Sequence, residues 1–188
     1  MGDFQDVLTS RRTIYRYSEE EVGEEVLELA FEAARNAPCH KNTEPWKFYV
    51  LGERTRTELI PEIKSLAIKK ASIGEDPRVG VVKAIEKILS PPVIICVTSA
   101  LSPGDSFREE EDYAATVCAT HNLVLSLWDN GVGSQWSTGT ITRSEATYNA
   151  IGVSSIEERI IGFIKIGYPE AIPSKSKKRV EEIRAYLP

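Results

Sequence analysis

Two segments of this chain are apolar at almost every position, and they constrain the fold more than any other feature. They are residues 93–98, Val-Ile-Ile-Cys-Val-Thr, and residues 159–167, Arg-Ile-Ile-Gly-Phe-Ile-Lys-Ile-Gly. Both are short and rich in β-branched residues, which favours strands over helices. A strand without polar alternation is typical of a central position, covered on both faces of a sheet. We therefore predict two core strands, and a third strand over Trp46–Leu51.

Most of the remaining chain has the spacing of helices with one apolar face. Helices are predicted near residues 4–8, 22–34, 59–67, 81–89, 109–130 and 143–151. Ser18–Glu21 has the pattern of a capping box for the second of these helices, and Pro38 follows it as a stop signal. With three or four strands that do not alternate simply with helices, the predicted fold class is an α+β sandwich.

Two segments fall outside these elements. Residues 71–80 contain Gly74, Pro77 and Gly80 and are predicted to be irregular. They fit either a lid beside a site or a plain surface excursion. The tail from Lys175 to Pro188 is basic and then amphipathic. Because no linker or repeat divides the chain, residues 1–188 are predicted to form a single domain.

The composition narrows the class of protein. The 188 residues are 41% hydrophobic and 27% charged, which is typical of a soluble globular domain. A net charge of −5 argues against nucleic acid as a partner, and no apolar run approaches the roughly 20 residues that span a bilayer. The first residues lack the apolar core of a signal peptide, and three cysteines without repeated spacing favour a reducing compartment. We expect a cytoplasmic protein that binds neither nucleic acid nor membranes.

Three polar segments are candidates for a binding site. Residues 11–16, Arg-Arg-Thr-Ile-Tyr-Arg, place three guanidinium groups close together, and such groups match phosphate geometry through paired hydrogen bonds. Residues 37–45 form a polar loop that leads into the strand at Trp46, an arrangement that suits a hydrogen-bonded ligand. Residues 131–139 combine a glycine-rich turn with more small donors. Simpler interpretations stay open: Arg11 and Arg12 as a solvated charge pair, and residues 38–45 as an ordinary connection.

Other kinds of site have less support. Gly131-Val132-Gly133 resembles the start of a dinucleotide fingerprint, but its third glycine position holds Trp136 and it follows a helix. Cys39-His40 and Cys118-x-x-His121 offer zinc-binding residue types without a short-looped pair of ligands, so we predict no metal. The sequence also lacks the nucleophile elbow of a hydrolase.

Taken in order, these segments resemble the nitroreductase family of FMN-dependent oxidoreductases, and most closely its small YdjA-like subgroup. Arg11-Arg12-Thr13 stands where the family has Arg-Arg-Ser, and residues 37–46 stand where the subgroup has Ala-Pro-x-His-Lys-x-x-x-Pro-Trp. Residues 133–139 and Ile166-Gly167-Tyr168-Pro169 follow in family order. The chain departs from the pattern at Thr13, which keeps a hydroxyl, and at Glu44, whose carboxylate would repel an anionic flavin where glutamine is common.

The resemblance implies a nitroreductase-like α/β sandwich, with a central and mostly antiparallel sheet flanked by helices. It also implies a homodimer with FMN at the subunit interface, onto which the tail of about residues 172–188 could extend. The implied FMN-binding residues are Arg11, Arg12, Thr13, Trp136, Ser137, Thr138, Gly139 and Lys177 of one subunit, and Pro38, His40 and Asn42 of the other. No catalytic side chain is implied, because the flavin carries the chemistry.

The implied activity is that of an NAD(P)H oxidoreductase that reduces nitroaromatics, quinones or similar small-molecule acceptors by alternating hydride steps. The alternative is a flavin-binding or flavin-delivering protein with little turnover. The sequence favours neither NADPH nor NADH as donor, and it does not single out an acceptor.

Overall fold

A four-stranded sheet lies at the centre of the molecule, which a computed structural model describes over residues 3–71 and 76–188. The strands are β1 (Trp46–Val50), β2 (Val93–Ala100), β3 (Gly133–Ser137) and β4 (Glu158–Gly167). Their order is β1-β2-β4-β3, and every neighbouring pair is antiparallel. The two apolar runs therefore occupy the central positions that the sequence predicts for them, and the α+β class with an antiparallel sheet is confirmed.

Helices cover both faces of this sheet. Within the described ranges the α-helices are α1 (Phe4–Ser10), α2 (Glu24–Arg35), α3 (Glu53–Glu58), α4 (Ile60–Lys70), α5 (Pro77–Leu89), α6 (Ser106–Asp129) and α7 (Glu145–Ile151). Short 3₁₀ turns add His40–Asn42, Thr140–Arg143 and Val180–Glu182.

Alternating side chains of the central strands supply two cores. On one face, Ile95 and Val97 of β2 pack with the alanine and leucine side chains of α2 and α6. On the other face, Ile94 and Cys96 pack with residues from α4, α5 and α7. Because successive side chains of a strand point to opposite faces, a continuously apolar strand requires both layers of helices.

A β-bulge in β4 shapes the edge of the sheet at β3. Val97 pairs with Gly162 and Thr98 with Ile160, so Ile161 is an extra residue in β4. The indole of Trp136 on β3 lies over Gly162, where a Cβ atom would be 2.1 Å from the indole nitrogen. That nitrogen donates to the carbonyl of Ile161 at 3.4 Å. The absence of a side chain at residue 162 thus leaves the space that Trp136 occupies.

The segment that follows α1 runs along the free edge of β3. Thr13 forms a parallel bridge with Ser134, and the Ile14 amide donates to the Ser134 carbonyl at 2.9 Å. The Ile14 side chain is fully buried against Gly133. The hydroxyl of Tyr17 lies 3.0 Å from the Ile14 carbonyl oxygen and the same distance from that of Lys165. These contacts fix Arg11 and Arg12 beside β3.

Three local predictions need correction. Ser18–Glu21 caps no helix, because the Ser18 amide donates to the Tyr168 carbonyl at 2.9 Å and α2 begins only at Glu24, after Gly23. The helix predicted at 143–151 begins two residues later, as α7 at Glu145, and Arg143 ends a 3₁₀ turn. The strand at residues 133–137 was not assigned from the sequence.

The third correction concerns residues 71–80. Helix α5 begins at Pro77, four residues before the predicted start, because the Asp76 carboxylate accepts from the Arg78 amide and proline fits the first helical turn. Residues 72–75 lie outside the described residues. The amphipathic pattern of the tail does not correspond to a packed helix, since Val180, Ile183 and Leu187 are exposed and only a 3₁₀ turn forms.

The contact between Gly133 and Ile14 makes a prediction about stability. An alanine Cβ at residue 133 would lie 2.4 Å from Cγ1 of Ile14 and 3.0 Å from Pro169. Ile14 is buried and cannot turn away, so we expect Gly133→Ala to lower the free energy of unfolding by about 1–3 kcal/mol. Chemical denaturation measures this change.

Gly80→Ala provides the matched control. Gly80 lies in α5 with no atom near the position of its Cβ. Alanine there should raise the free energy of unfolding by about 0.5–1 kcal/mol. Equal effects at residues 133 and 80 would contradict the proposed crowding against Ile14.

Candidate functional site

A small cavity lies where the arginine segment, β3 and α6 meet. Its volume is about 170 Å³. It is lined by Arg11, Thr13, Thr120, His121, Val124, Ser134 and Trp136. The tertiary structure therefore brings together three of the residues that the sequence predicts for one ligand, namely Arg11, Thr13 and Trp136.

The cavity is electrostatically positive. Arg11 is half-buried, and burial, followed by the charge of Arg12, lowers the pKa of its guanidinium. Over the residues that the structure describes, Arg11 makes no ion pair with a carboxylate. A partly desolvated cation without a counter-ion favours an anionic ligand.

His121 adds a neutral donor or acceptor to this cavity. The His121 side chain is exposed on one side, but partial burial of its imidazole and, to a lesser extent, the charge of Arg11 lower its pKa. The imidazole is thus uncharged at neutral pH and can exchange hydrogen bonds with a ligand in either sense.

The two neighbouring arginines have different environments. Nη1 of Arg12 donates to the carbonyl oxygens of Thr9 at 2.8 Å and of Arg11 at 2.9 Å. The Arg12 side chain thereby caps the end of α1, whose last carbonyls have no partners within the helix. Arg11 faces the cavity, whereas one nitrogen of Arg12 is already used in holding the backbone.

The segment after β3 leads from this cavity to a larger open groove. The groove has a volume of about 1240 Å³, and Thr138 and Gly139 lie in its wall. Arg159 also lines it, with its guanidinium carbon 4.7 Å from the ring centre of Tyr113. Gly139 has a φ of 139°, which favours glycine, and its carbonyl accepts from the Thr142 hydroxyl at 2.8 Å. Ser137 lies between the two regions, with its hydroxyl 3.3 Å from the Phe163 carbonyl.

The loop at residues 38–45 lies elsewhere. Pro38, His40 and Asn42 are exposed, and the loop is joined to α6 by a hydrogen bond of 2.6 Å from the Thr43 hydroxyl to Asp112. Asp112 precedes Thr120, a cavity residue, by eight positions, which corresponds to about 12 Å along the helix. No residue of this loop lines the Arg11 cavity.

Lys177 lies in the exposed tail, and the structure records no hydrogen bond or ion pair for its side chain within the described residues. Its place in a phosphate site stays a prediction.

The sequence did not reveal several residues of this region. Thr120 and Val124 belong to no motif, and His121 attracted attention only as a partner of Cys118 in a zinc site. Ser134 lies within the motif at residues 133–139 but was not among the implied FMN-binding residues. In the structure His121 and Cys118 are both exposed on α6, and the described residues contain no group of three or more His, Cys, Asp or Glu side chains arranged to hold a metal. The nearest signal in the sequence is the lack of charge on α6 between Tyr113 and Trp128, which marks its exposed face as unusual.

Comparison with known proteins identifies the family. The model of the nitroreductase family matches residues 8–168 of the chain. This span includes the arginine segment, the loop at residues 38–45 and all four strands. The chain belongs to the nitroreductase family.

Two relatives in the family support the predicted subgroup. YfhC of Bacillus subtilis is 30% identical over 176 residues, which are 93% of this chain and 88% of YfhC. YdjA of Escherichia coli K12 is 26% identical over 174 residues, which are 93% of this chain and 92% of YdjA. Both carry provisional assignments as NAD(P)H nitroreductases, the oxidoreductase class that the sequence predicts.

Solved structures of family members share the fold. A nitroreductase-like family protein from Bacillus cereus superposes with a TM-score of 0.83 at 25% identity, covering 100% of this chain and 97% of that one. A protein from Desulfovibrio desulfuricans, provisionally assigned as a nitroreductase and determined in complex with FMN, has a TM-score of 0.76 at 21% identity, with 100% and 98% coverage. The nitroreductase-like fold is thus confirmed.

No helix among residues 3–71 and 76–188 combines the length and apolar character needed to cross a membrane.

The Arg11–His121 pair predicts a change that NMR can measure. Removing the charge with Arg11→Gln should raise the pKa of His121 part of the way to its ordinary value, since burial, the larger cause, remains. The measurement is a proton NMR titration, in which His40→Gln assigns the second histidine. Arg16→Gln, which removes an exposed charge from the same segment, should leave the His121 pKa unchanged.

The lowered pKa of His121 also determines how the stability of the folded protein changes with pH. Because the pKa of His121 is lower in the folded state, its contribution to stability is present above the unfolded-state value and is lost as the pH falls through the folded-state value. An unchanged His121 pKa in Arg11→Gln would contradict the proximity of the two side chains.

Proposed function

We propose that this protein is an FMN-dependent NAD(P)H oxidoreductase that reduces nitroaromatics, quinones or similar acceptors. The observation that carries the proposal is the half-buried Arg11 guanidinium, which lies beside Thr13, Ser134 and Trp136 without a carboxylate partner in the described part of the chain. The chain belongs to the nitroreductase family, and the Desulfovibrio protein of the same fold binds FMN. Both findings favour the phosphate of a flavin as the anion that Arg11 binds.

The residues of one chain fit FMN only in part. The cavity of about 170 Å³ is smaller than the roughly 300–1,000 Å³ of sites that enclose ligands of this size. It can hold one end of FMN, while the rest of the flavin would need a second wall. One chain therefore supplies an incomplete site.

Two groups of residues would form the complete site. From one subunit they are Arg11, Arg12, Thr13, Trp136, Ser137, Thr138, Gly139 and Lys177, and from the other they are Pro38, His40 and Asn42. Bound FMN would supply the redox chemistry, accepting hydride from NAD(P)H and passing electrons to the acceptor in two alternating half-reactions.

The contributions of the chain itself are charge and shape. Arg11 would neutralise phosphate in a setting where the guanidinium is partly shielded from water, which strengthens the attraction. Trp136, held over Gly162, would give the site a fixed apolar wall. The groove next to Thr138 and Gly139 is large enough to admit a nicotinamide or an aromatic acceptor.

The second wall would come from a second copy of this chain. Ala114, Cys118 and His121 are exposed on one side of α6, and no charged residue occurs between Tyr113 and Trp128. An uncharged exposed helix face is unusual for a surface that stays in water. The exposed loop with His40 and Asn42 and the exposed tail after residue 172 would then reach the partner's flavin.

The proposal predicts a yellow protein that is bleached by its electron donor. Purified protein should retain FMN, and anaerobic addition of NADH or NADPH should remove the flavin absorbance at a rate that supports turnover with a nitroaromatic or quinone. Retained flavin that neither nucleotide reduces would favour a flavin carrier, and protein without affinity for FMN would contradict the proposal.

Arg11→Ala tests the observation on which the proposal depends. A hydrogen bond to a charged group contributes about 1.5–3 kcal/mol to the binding free energy. Without it, the dissociation constant for FMN should rise tenfold or more. Arg54→Ala, which breaks only a surface ion pair with Glu58, should leave the affinity unchanged.

Assembly through α6 makes a separate prediction. Light scattering should show a dimer, and Cys118→Arg should shift it towards monomer by placing a charge in the uncharged face. A stable monomer should also release FMN, since its site lacks the second wall. Glu28→Arg, at an exposed position of α2, should remain dimeric. A flavin-loaded monomeric wild type would contradict this part of the proposal.

A further inference from the structure

A chain of short contacts connects the loop at residues 38–45 to the interior of α6. The Glu44 amide donates to Sγ of Cys39 at 3.2 Å, that sulfur lies 3.0 Å from Oγ1 of Thr43, and the Thr43 hydroxyl donates to Oδ1 of Asp112 at 2.6 Å. Asp112 is buried, with 3% of its surface exposed. Its second oxygen lies 3.4 Å from Nε of Arg108.

The direction of these hydrogen bonds follows from counting hydrogens. A carboxylate only accepts hydrogen bonds, so the Thr43 hydroxyl donates its one hydrogen to Asp112. The contact with Cys39 must then be made by the thiol hydrogen, which is donated to Oγ1 of Thr43. The sulfur in turn accepts the Glu44 amide. All donors in the chain therefore point towards one buried charge, an order in which each bond polarises the next.

The backbone that this chain holds is strained. Lys41, Asn42 and Glu44 have φ angles of 54°, 52° and 45°, in the left-handed region that residues with a side chain rarely adopt. Three such residues within four positions persist only where the surroundings determine the conformation. In this loop, the hydrogen bonds that join Cys39, Thr43 and Asp112 hold the backbone in that conformation.

We propose that Asp112 and Thr43 are positioning residues, which keep the loop in this strained shape so that His40 and Asn42 are presented to a ligand. The inference rests on the proposed function in one respect, namely that the ligand is the flavin of a second subunit. An imidazole at residue 40 would there donate to reduced, negatively charged flavin and stabilise it.

Three substitutions separate the hydrogen bonds from the shape of the loop. Thr43→Val keeps the shape of the side chain and removes both hydrogen bonds of the hydroxyl, whereas Thr43→Ser keeps the hydroxyl. Cys39→Ala removes the contacts of the sulfur with Thr43 and the Glu44 amide and leaves the Thr43–Asp112 hydrogen bond in place. It is also the second variant should Thr43→Val fail to fold.

Hydrogen exchange of the protein without flavin tests whether the hydrogen bonds of Thr43 hold the loop. In Thr43→Val the amides of Asn42, Thr43 and Glu44, which donate within the loop, should exchange about tenfold faster, while those of β2 and β4 keep wild-type rates. Cys39→Ala should show a smaller acceleration at Asn42 and Thr43, and Thr43→Ser should match wild type. Wild-type exchange in both Thr43→Val and Cys39→Ala would overturn the proposal.

The midpoint potential of bound FMN tests the link to the flavin. Thr43→Val should lower the potential and slow reduction by NAD(P)H while FMN is still retained, and Thr43→Ser should restore both. Faster exchange with an unchanged potential would overturn the positioning role and leave the proposed function intact. If wild-type protein binds no FMN, the proposed function fails, and the exchange experiment still decides whether Asp112 and Thr43 hold the loop.

Discussion

The length and rigidity of α6 determine how the site is distributed. One side of this 24-residue helix packs against the sheet, and both parts of the candidate site depend on it. Asp112, in its first third, holds the loop that carries His40, and Thr120 and His121, further along, line the Arg11 cavity. Eight positions of α6, about 12 Å along its axis, separate Asp112 from Thr120. In the proposed dimer, the loop of one chain would meet the Arg11 cavity of the other.

The edge of β3 has a comparable role for the arginine segment. Neither Arg11 nor Thr13 belongs to a regular element, and their positions come from the bridge to Ser134 and from Ile14, which is buried where Gly133 leaves room. This arrangement shields Arg11 from water while its neighbour Arg12 caps α1. A shielded cation without a counter-ion is costly in the free protein, and an anionic ligand offsets that cost.

The fold was largely predictable because its strongest signals are local. Continuous apolar runs at 93–98 and 159–167 predicted central strands, and the helical spacing around α2, α4 and α6 predicted the layers that cover them. The errors lie where a long-range contact decides the structure. Ser18 has the right neighbours for a helix cap, yet its amide is taken by Tyr168. Residues 133–137 received no element from the sequence and form a strand because β4 offers an open edge.

For the site, the sequence by itself determined the family and the residue types, since the motifs at residues 11–13, 37–46 and 133–139 are contiguous along the chain. Only the tertiary structure decided which of these side chains lie together. It assigned different environments to Arg11 and Arg12, and it brought His121 into the same cavity as Arg11. It also placed Asp112 beneath a loop 69 positions away in sequence, at Thr43. Such pairings depend on how elements pack in space, and no spacing within a single segment encodes them.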